Sequence, residues 1–384
     1  MKSTNMINLY SINTVKPYSV PLNSNKKCSK LDLSQIHTNE LNVQRFPRLN
    51  LIYFTSNVSG VDKDKINWNE QTVLVTGGTG TVGKSFVETI FNKYHPKKII
   101  VLSRNDLKQK EMKNSKLDDS SLEYISADIK NLNQLKKAFK NVDIVIHTAA
   151  MKNIPECEER PEETVETNII GTKNVIDAAI EGGVKRVLYI SSDKASYPTT
   201  TYGATKLISE KLLAHANSNP DVQTLFSCIR LGNVLGSSGS VIPVFKKQRE
   251  NGEITITDER MTRFWITPKQ VTNYIISCVE NMQGGEIFIP KFKTMNLKEL
   301  VQVVAPDCKI KIIGSRPGEK LHEQIITDDE TKRTLEFENY YAILPAYVKD
   351  KEKKWPEGEP VPEDFKYTSD SGEKLCEEDL KDCI

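Results

Sequence analysis

From Thr72 onward, short runs of β-branched and aliphatic residues alternate with longer amphipathic segments. Six of these apolar runs have the length of buried β-strands, at 72–76, 98–102, 122–126, 142–147, 186–191 and 224–230. Between the runs, the segments 82–94 and 162–181 and another that begins at Thr201 have helical length and periodicity. Apolar strands separated by helix-length segments predict an α/β fold with a Rossmann-type, doubly wound parallel sheet.

The regular alternation ends near Gly236. Beyond it, the pattern predicts a helix from Ile242, a strand at 254–256 and a helix over 268–282. We expect a Rossmann domain at 69–235 and a smaller α/β lobe at 236–348, with some return of the chain to the first domain. Residues 349–384 are rich in charge and weak in periodicity, which predicts a charged tail on the surface.

The first 68 residues differ from the rest of the chain. They are rich in Asn, Ser and Lys, and their first acidic residue is Asp32. This composition predicts a poorly ordered N-terminal extension. Organelle targeting is the alternative, because transit peptides also lack acids, but no Arg precedes Arg45 and no amphipathic face is evident.

Composition narrows the possible functions. The formal net charge of the 384 residues is +2, so the chain lacks the basic excess that a nucleic-acid partner requires. No apolar run reaches the roughly 18 residues that span a bilayer, and we expect no membrane segment. The seven Cys are scattered, with no CxxC pair and no His nearby, which predicts reduced thiols, no metal site and a cytoplasmic location.

Glycines at positions 77, 80 and 83 follow the first predicted strand and open the first predicted helix. Gly77 permits the tight turn, Gly80 lets the backbone approach a pyrophosphate, and Gly83 permits close helix–strand packing. Glycines that serve the turn alone are the alternative, but the strand and helix provide the context that a dinucleotide site requires. Thr81 and Val82, which open the helix, are expected to line the same site.

The end of the second strand distinguishes NAD from NADP. An NAD enzyme places Asp or Glu there to bind the ribose hydroxyls, whereas this chain has Ser103 and Arg104, followed by Lys108. A hydroxyl and two cations suit a 2′-phosphate, so the sequence favours NADP over NAD; charges that contact only solvent are the alternative. Further cofactor contacts are expected near the ends of later strands, at Asp128, Ile129, Ala149 and Ala150.

The fifth strand ends in Ser192-Asp193-Lys194, and a Tyr202-x-x-x-Lys206 pair follows on a helix. Tyr202 and Lys206 are four residues apart and share one helix face. A nearby ammonium favours the phenolate, so we expect a lowered Tyr202 pKa and a base near neutral pH. An isolated pair of this kind is often on the surface, but a position just beyond a strand end favours catalysis.

The glycine motif and the Tyr-x-x-x-Lys pair resemble the extended short-chain dehydrogenase/reductase family. Further stretches resemble one branch, the inverting UDP-N-acetylglucosamine 4,6-dehydratases of the pseudaminic acid type; they lie at 103–109, 192–194, 230–234, 257–264 and 316–323. The resemblance covers residues 70–348 and, more faintly, 367–370.

This resemblance implies dehydration by internal hydride transfer through bound NADP. Tyr202 would accept the proton of the 4-hydroxyl while hydride moves to the cofactor, and Ser192 would hydrogen-bond the 4-oxygen. Lys194 would remove the proton of carbon 5, Asp193 would protonate the departing 6-hydroxyl, and hydride would return to carbon 6. Reprotonation of carbon 5 on the opposite face would invert it. Whether Lys194 is neutral stays open, since Lys206 would lower its pKa and Asp193 would raise it.

The implied substrate is a UDP-sugar bound by the smaller lobe, and the family implies a homo-oligomer. Residues expected to contact the substrate are Lys152, Asn233, Arg260, Arg263, Arg316 and Glu319. A retaining 4,6-dehydratase is one alternative; a nucleotide-sugar epimerase or reductase is another, although neither needs Asp193 and Lys194. A regulatory dinucleotide sensor would be expected to have lost Tyr202, Lys206 or Lys194, and all three are present.

Overall fold

The computed structural model describes residues 66–115, 117–237, 239–346 and 354–380; the expectations for residues 1–65 lie outside this part of the chain. The six predicted strands are present within two residues of their expected bounds. They are β1 (Thr72–Thr76), β2 (Lys98–Ser103), β3 (Leu122–Ser126), β4 (Ile144–His147), β5 (Arg186–Ser192) and β6 (Leu225–Leu231). Every residue of β1 and β4 is buried, as in strands covered on both faces.

Helices separate these strands. They are α1 (Thr81–Lys93), α2 (Asp106–Asn114), α3 (Leu132–Ala138), α4 (Ile154–Glu159), α5 (Pro161–Val165), α6 (Gly171–Gly182) and α7 (Thr201–Ser218). The side chains of Asn105, Asn131 and Thr200 each accept a hydrogen bond from the backbone N–H three residues later, which fixes where α2, α3 and α7 begin. Among the described helices, none combines the length and apolar character needed to span a bilayer.

The main sheet has ten strands. Its order is β3-β2-β1-β4-β5-β6, followed by β10 (Ile287–Pro290), β14 (Tyr340–Ile343), β13 (Thr334–Glu336) and β15 (Glu359–Pro360). Neighbours from β3 to β10 are parallel, and the last three strands are antiparallel. The strand order reverses between β1 and β4, and sheets of this kind bind ligands at that switch point. The predicted fold class is therefore confirmed.

A second, smaller layer lies after β6. One sheet contains β7 (Asn233–Val234), β9 (Thr262–Ile266), β11 (Lys293–Asn296) and β16 (Glu373–Lys374), and β8 (Glu253–Ile256) pairs with β12 (Lys309–Ile312). The helices of this part are α8 (Val241–Arg249), α9 (Pro268–Asn281), α10 (Leu297–Val304), α11 (Asp328–Thr331) and α12 (Glu377–Leu380). Phe245, Trp265 and Leu300 belong to a hydrophobic cluster separate from the main core.

The helix predicted at 162–181 is divided into α5 and α6 by a π-helical turn at Glu166–Ile170. Such a turn inserts one extra residue and redirects the side chains around it. Asn168 in this turn accepts from the backbone N–H of Met151 at 2.8 Å and donates to Met151 O and Thr205 Oγ1 at 3.0 Å. The interruption therefore connects the segment after β4 to α7.

The C-terminal segment differs from the predicted surface tail. Trp355, Tyr367 and Leu375 are buried, and the Tyr367 hydroxyl accepts a hydrogen bond from the backbone N–H of Phe292. β15 extends the main sheet, and β16 extends the smaller one. The high charge of this segment concealed its few widely spaced apolar residues, because they follow neither a helical nor a strand period.

A buried ion cluster joins α7 to the C-terminal part of the chain. Arg230 of β6 lies between Glu210 and Glu330, with Nη2 at 2.8 Å and 2.7 Å from the two carboxylates. Burial raises the pKa of Glu330, but Arg230 outweighs burial and lowers it to about 2. Removal of one partner would leave an uncompensated buried charge, so this cluster fixes α7 relative to α11.

Candidate active site

A cavity of about 490 Å³ opens where β1, β2, β4 and β5 end, at the switch point of the sheet. It brings together most of the cofactor and catalytic residues that the sequence predicts. These lining residues are Gly77, Gly80, Thr81, Val82, Gly83, Ser103, Arg104, Lys108, Ile129, Ala149, Ala150, Ser192, Tyr202 and Lys206. Lys152, which is predicted to contact the substrate, lines the cavity as well.

Two of the three motif glycines are required by contacts within the protein. Gly77 has a φ of +65°, and a Cβ there would lie 2.8 Å from the backbone nitrogen of Ala149. A Cβ at Gly83 would lie 2.7 Å from Gly77 O. A Cβ at Gly80 would meet only Gly77 O, at 3.2 Å, although Gly80 lines the cavity at the start of α1. Packing within the protein therefore requires a glycine less strictly at position 80 than at positions 77 and 83. A glycine at position 80 fits close approach of a phosphate to its backbone.

Cations gather at the end of the cavity that β2 forms. Ser103, Arg104 and Lys108 line this end. Asp128 is outside the lining and pairs with Arg104, whose Nη1 is 3.7 Å from Asp128 Oδ2. Burial lowers the pKa of Lys152, and the nearby charge of Lys108 lowers it further. Lys108 and Lys152 both line the cavity, so an anion bound there would reduce their mutual repulsion.

A hydrogen-bonded chain holds β1 and β4 together below the glycine turn. Thr76 Oγ1 lies 2.7 Å from His147 Nδ1, and His147 Nε2 lies 3.1 Å from Thr172 Oγ1. Thr148 Oγ1 donates to Thr76 O at 2.7 Å. Burial lowers the pKa of His147 to about 3, so the imidazole is neutral and serves as a fixed spacer.

Ser192 ends β5, and Asp193 and Lys194 form the 3₁₀ turn that follows it. Ser192 Oγ donates to Asp193 Oδ1 at 2.8 Å and accepts from the backbone N–H of Lys194. Lys194 Nζ donates to the same carboxylate oxygen at 2.9 Å. Asp193 and Lys194 adjoin the cavity through Ser192 and do not line it. Asp193 Oδ2 is buried without a hydrogen-bond partner in the described chain.

Tyr202 and Lys206 are buried on one face of α7, and both line the cavity. Lys206 Nζ donates to Ile190 O at 2.7 Å. The same nitrogen is 4.4 Å from the ring centroid of Tyr189 and 5.9 Å from that of Tyr202. Lys206 is therefore anchored to β5, and its Nζ lies 5.9 Å from the centre of the Tyr202 ring.

The predicted lowering of the Tyr202 pKa is wrong for this structure. Burial raises it to about 12, although a hydrogen bond with Ser192 and the charge of Lys194 act in the opposite direction. Burial also lowers the pKa of Lys206 to about 7, so its charge is incomplete near neutral pH. The positive charge that favours the Tyr202 phenolate comes from Lys194.

Glu323 lies at this site, although it is not among the residues that the sequence predicts. Its Oε1 is 3.6 Å from Lys194 Nζ and 3.8 Å from Arg263 Nε. Burial lowers the pKa of Lys194, but Asp193 and Glu323 outweigh burial and raise it above its ordinary value. The only signal in the sequence was the 316–323 stretch, since spacing alone does not show that it returns to β5.

The remaining residues predicted to bind substrate are outside the cavity lining. Asn233 is half-buried in β7, between two lining residues. Arg260 is exposed and pairs with Asp258 through Nη2 at 2.7 Å. Arg316 is also exposed, and its backbone N–H donates to the half-buried Glu319 at 3.1 Å.

Arg263, which is expected to contact the substrate, is instead held within the protein. It is 6% exposed, and its Nη1 donates to the backbone oxygens of Thr262 and Leu321. A bidentate phosphate contact requires open guanidinium donors. In this arrangement Arg263 is an internal partner of Glu323.

Thr167 is a further lining residue that the sequence pattern did not reveal. It lies in the π-helical turn, and its Oγ1 is buried without a hydrogen-bond partner in the described chain. The periodicity of 162–181 predicts a regular helix, which would not distinguish this side chain from its neighbours.

Known proteins resemble this chain over most of its length. Residues 73–345 match the polysaccharide biosynthesis protein family. The inverting UDP-N-acetylglucosamine 4,6-dehydratase of Campylobacter jejuni is 45% identical over 328 residues, which cover 83% of this chain and 98% of that protein. A UDP-glucose 4-epimerase of Rickettsia bellii is 34% identical over 329 residues, which cover 82% of this chain and 95% of that protein.

A solved structure shares this architecture. The X-ray structure of Pen from Bacillus thuringiensis is 37% identical and has a TM-score of 0.76, covering 83% of this chain and 98% of that one. The family match spans the glycine turn, the Ser192–Lys194 turn, α7 and Glu323. The chain therefore belongs to the polysaccharide biosynthesis protein family, within the extended short-chain dehydrogenases/reductases.

Proposed function

We propose that this protein is a UDP-N-acetylglucosamine 4,6-dehydratase that inverts carbon 5 and forms UDP-2-acetamido-2,6-dideoxy-β-L-arabino-hex-4-ulose. The observation that carries this proposal is the Asp193–Lys194 hydrogen bond of 2.9 Å beside Ser192, which lines the cavity with Tyr202. Loss of water requires a base for carbon 5 and an acid for the 6-hydroxyl, in addition to the base at the 4-hydroxyl. The 45% identity to an enzyme of this name supports the same reaction.

The cavity fits a nicotinamide dinucleotide. The start of α1 at Gly80 would bind the pyrophosphate through backbone N–H groups. Ile129, Ala149 and Ala150 would provide the apolar wall beside it. When bound, the cofactor supplies a hydride acceptor that returns the hydride within the same turnover.

We favour NADP over NAD for this site. Arg104 and Lys108 lie with the Ser103 hydroxyl at the β2 end, where an NAD enzyme has a carboxylate. Asp128, the nearby carboxylate, pairs with Arg104 at 3.7 Å and would orient its guanidinium. Planar guanidinium and ammonium donors suit a 2′-phosphate.

The side chains have distinct tasks in the proposed reaction. Tyr202, as the phenolate that the charge of Lys194 favours, accepts the proton of the 4-hydroxyl. The Ser192 hydroxyl turns from Asp193 to donate a hydrogen bond to the 4-oxygen. The 4-ketone acidifies carbon 5, whose proton passes to the Lys194 amine. Asp193 donates the proton that it receives from Lys194 to the 6-oxygen, which leaves as water. Carbon 5 then takes a proton from solvent on the face opposite Lys194, and Tyr202 returns its proton to solvent, so one water is lost and no external oxidant is consumed.

A single proton transfer prepares both the acid and the base. In the resting pair, Lys194 is an ammonium and Asp193 a carboxylate, joined through Nζ and Oδ1. Movement of that shared proton to Asp193 creates an amine and a carboxylic acid together. Exclusion of water by a bound sugar favours this neutral pair, because burial disfavours charge.

The UDP group would bind along the smaller lobe. Lys152 lines the cavity, and we propose that Asn233, Arg260, Arg316 and Glu319 complete the site for the pyrophosphate and uridine. To bind phosphate, Arg260 would have to leave its ion pair with Asp258. This would cost little free energy, because exposed ion pairs are weak.

Two rival activities have some support. A nucleotide-sugar 4-epimerase is supported by the 34% identity to the Rickettsia bellii enzyme, but it leaves the Asp193–Lys194 pair without a task. A retaining dehydratase would use the same side chains and differ only in the face of carbon 5 that is reprotonated.

Incubation of the purified protein with UDP-N-acetylglucosamine alone, in D₂O, separates these activities. We expect NMR to show a 4-keto-6-deoxy sugar with deuterium at carbon 5 and L-arabino configuration. No conversion without added NADPH would contradict internal hydride return, the retained configuration would indicate the retaining class, and an epimer at carbon 4 would indicate an epimerase.

A pair of matched variants tests the role of the Tyr202 hydroxyl. Tyr202→Phe is expected to abolish conversion while the fold is retained, since only the hydroxyl is removed. Tyr124→Phe serves as the control. It also removes a tyrosine hydroxyl, but this hydroxyl donates to Leu117 O, and neither residue lines the cavity. Equal activity of the two variants would contradict the proposed base.

We also propose a cytoplasmic homo-oligomer. Val165, Ile170 and Ile208 are 41%, 49% and 44% exposed on α5, the π-helical turn and α7. Burial of these side chains between subunits would remove apolar surface from water. Light scattering of the wild type and of Ile170→Lys would test this, with a smaller mass expected for the variant.

A further inference from the structure

Glu323 is a buried carboxylate to which the proposed reaction gives no step. It is 3% exposed, and its Oε1 faces Lys194 Nζ at 3.6 Å and Arg263 Nε at 3.8 Å. Its Oε2 has no hydrogen-bond partner in the described chain and lies 3.6 Å from Lys320 Nζ. A buried charge without full hydrogen bonding is costly, so it persists only where its neighbours compensate for it.

The backbone of Glu323 is fixed by the C-terminal segment. Its N–H donates to Ser369 Oγ at 2.9 Å, and the Ser369 N–H donates to Glu323 O at 2.8 Å. Ser369 Oγ also donates to Thr262 O at 3.1 Å, next to Arg263. The position of the carboxylate is therefore set from two directions.

The preceding turn is docked on the loop that follows β5. Thr199 Oγ1 donates to Gly318 O at 2.6 Å, and Lys320 Nζ donates to Ser196 O at 2.7 Å. Gly318 has a φ of +78°, and a Cβ there would lie 2.7 Å from Thr199 O. This close contact holds Glu323 beside the Asp193–Lys194 turn.

Lys194 thus lies between two carboxylates from distant parts of the chain. Asp193 approaches Nζ at 2.9 Å on its own turn, and Glu323 approaches it at 3.6 Å from the segment between β12 and α11. The cations around Glu323 are Lys194, Arg263 on β9 and Lys320. Loss of the Glu323 charge would leave these three cations with Asp193 as the remaining carboxylate of the cluster.

We propose that Glu323 is a positioning residue that keeps the proton on the Asp193–Lys194 pair. The inference rests on the proposed dehydration and deepens it. With Glu323 charged, the pair retains its shared proton, so Asp193 can act as the acid and Lys194 as the base in one turnover. Without that charge, the Lys194 amine is freed at lower pH, and the proton that Asp193 must deliver is lost to solvent.

Exchange of the carbon 5 proton isolates the base from the rest of the reaction. The 4-keto-6-deoxy compound that keeps the substrate's configuration at carbon 5, bound to the NADP holoenzyme in D₂O, presents its carbon 5 proton on the face of Lys194. It loses this proton to the Lys194 amine and regains a deuteron from the resulting ammonium. This exchange requires neither oxidation nor loss of water. Its rate follows the fraction of Lys194 that is neutral.

Glu323→Gln is expected to accelerate exchange about tenfold at pH 8–9, because loss of one adjacent negative charge lowers a lysine pKa by about one unit or more. Over the same pH range the alkaline limit of dehydration is expected to move to lower pH. Glu323→Asp keeps the charge and is expected to remain nearer to the wild type in both measurements. Exchange is measured by NMR, and thermal unfolding is measured for every variant.

Glu330→Gln is the control for loss of a buried carboxylate. Glu330 pairs with Arg230 away from Lys194, so its variant should unfold at lower temperature without faster exchange. Exchange by Glu323→Gln at or below the wild-type rate would overturn the inference. If Glu323→Gln does not fold, Ser369→Ala decides the question: faster exchange than the wild type supports the inference, and an equal or slower rate overturns it.

Failure of the inference is distinct from failure of the proposed function. If the wild type does not dehydrate UDP-N-acetylglucosamine, the proposed function is contradicted. If the wild type dehydrates it and Glu323→Gln exchanges the carbon 5 proton at the wild-type rate, only the proposed role of Glu323 is contradicted.

Discussion

The two ends of the cavity are built in different ways. At the cofactor end, Gly77, Gly80 and Gly83 lie within one turn, and a Cβ added at Gly77 or Gly83 would lie only 2.7–2.8 Å from backbone atoms. At the catalytic end, Lys194 and Glu323 come from distant parts of the chain, and buried charges determine the protonation of the site. The first end is thus sensitive to added volume, and the second to changes of charge.

Of the variants that compare the two ends, Lys194→Ala should cause the largest loss of activity. It should act on the catalytic end of the cavity and leave the cofactor end unchanged. We expect dehydration to fall by about 10²–10⁴-fold, the usual contribution of a positioned acid or base, with cofactor affinity unchanged. Lys173→Ala, which removes an exposed lysine paired with Asp177, is the control. Product formation and cofactor titration measure the two effects, and a loss of cofactor affinity in Lys194→Ala would contradict the separation of the two ends.

Gly77→Ala should disrupt the cofactor end. Its Cβ would clash with Ala149 N, and overpacking of this kind costs about 1–3 kcal/mol in stability or cofactor binding. Gly183→Ala is a matched control, because Gly183 has a similar φ of +67° but a Cβ there would have no atom within 4 Å. If both variants lost cofactor affinity equally, the cause would be the positive φ that the two positions share, and not the contact of the new Cβ with Ala149.

Arg104→Ala should produce a smaller and more selective change. Loss of a hydrogen bond to a charged group costs about 1.5–3 kcal/mol, so NADP affinity should fall at least about tenfold. NAD affinity should change little, because NAD lacks the 2′-phosphate. Titration with both cofactors tests this, and parallel weakening of the two would argue against a phosphate contact.

Tyr367→Phe should give the smallest effect. It removes the hydroxyl that accepts from the Phe292 N–H, and one such bond contributes about 1 kcal/mol. We expect a lower unfolding temperature with unchanged cofactor affinity, measured by calorimetry and titration. Weaker cofactor binding would show that the C-terminal segment supports both ends of the cavity.

The same contrast explains what the sequence could predict. The strands, the glycine turn and the Tyr202–Lys206 pair depend on neighbours within a few residues, so pattern and spacing revealed them. The raised Tyr202 pKa, the internal pairing of Arg263 and the position of Glu323 depend on burial and on distant segments. Charge density likewise concealed the buried Tyr367 and Leu375, because single apolar residues without a period give no signal of packing.

Ser369 connects the order of synthesis to the onset of chemistry. Residue 369 leaves the ribosome after β1, the glycine turn and α7, and until then the backbone of Glu323 lacks its anchor on the Ser369 hydroxyl. A chain clipped before Ser369 would keep the residues of the cofactor end and would lose the hydroxyl that fixes Glu323 beside Lys194.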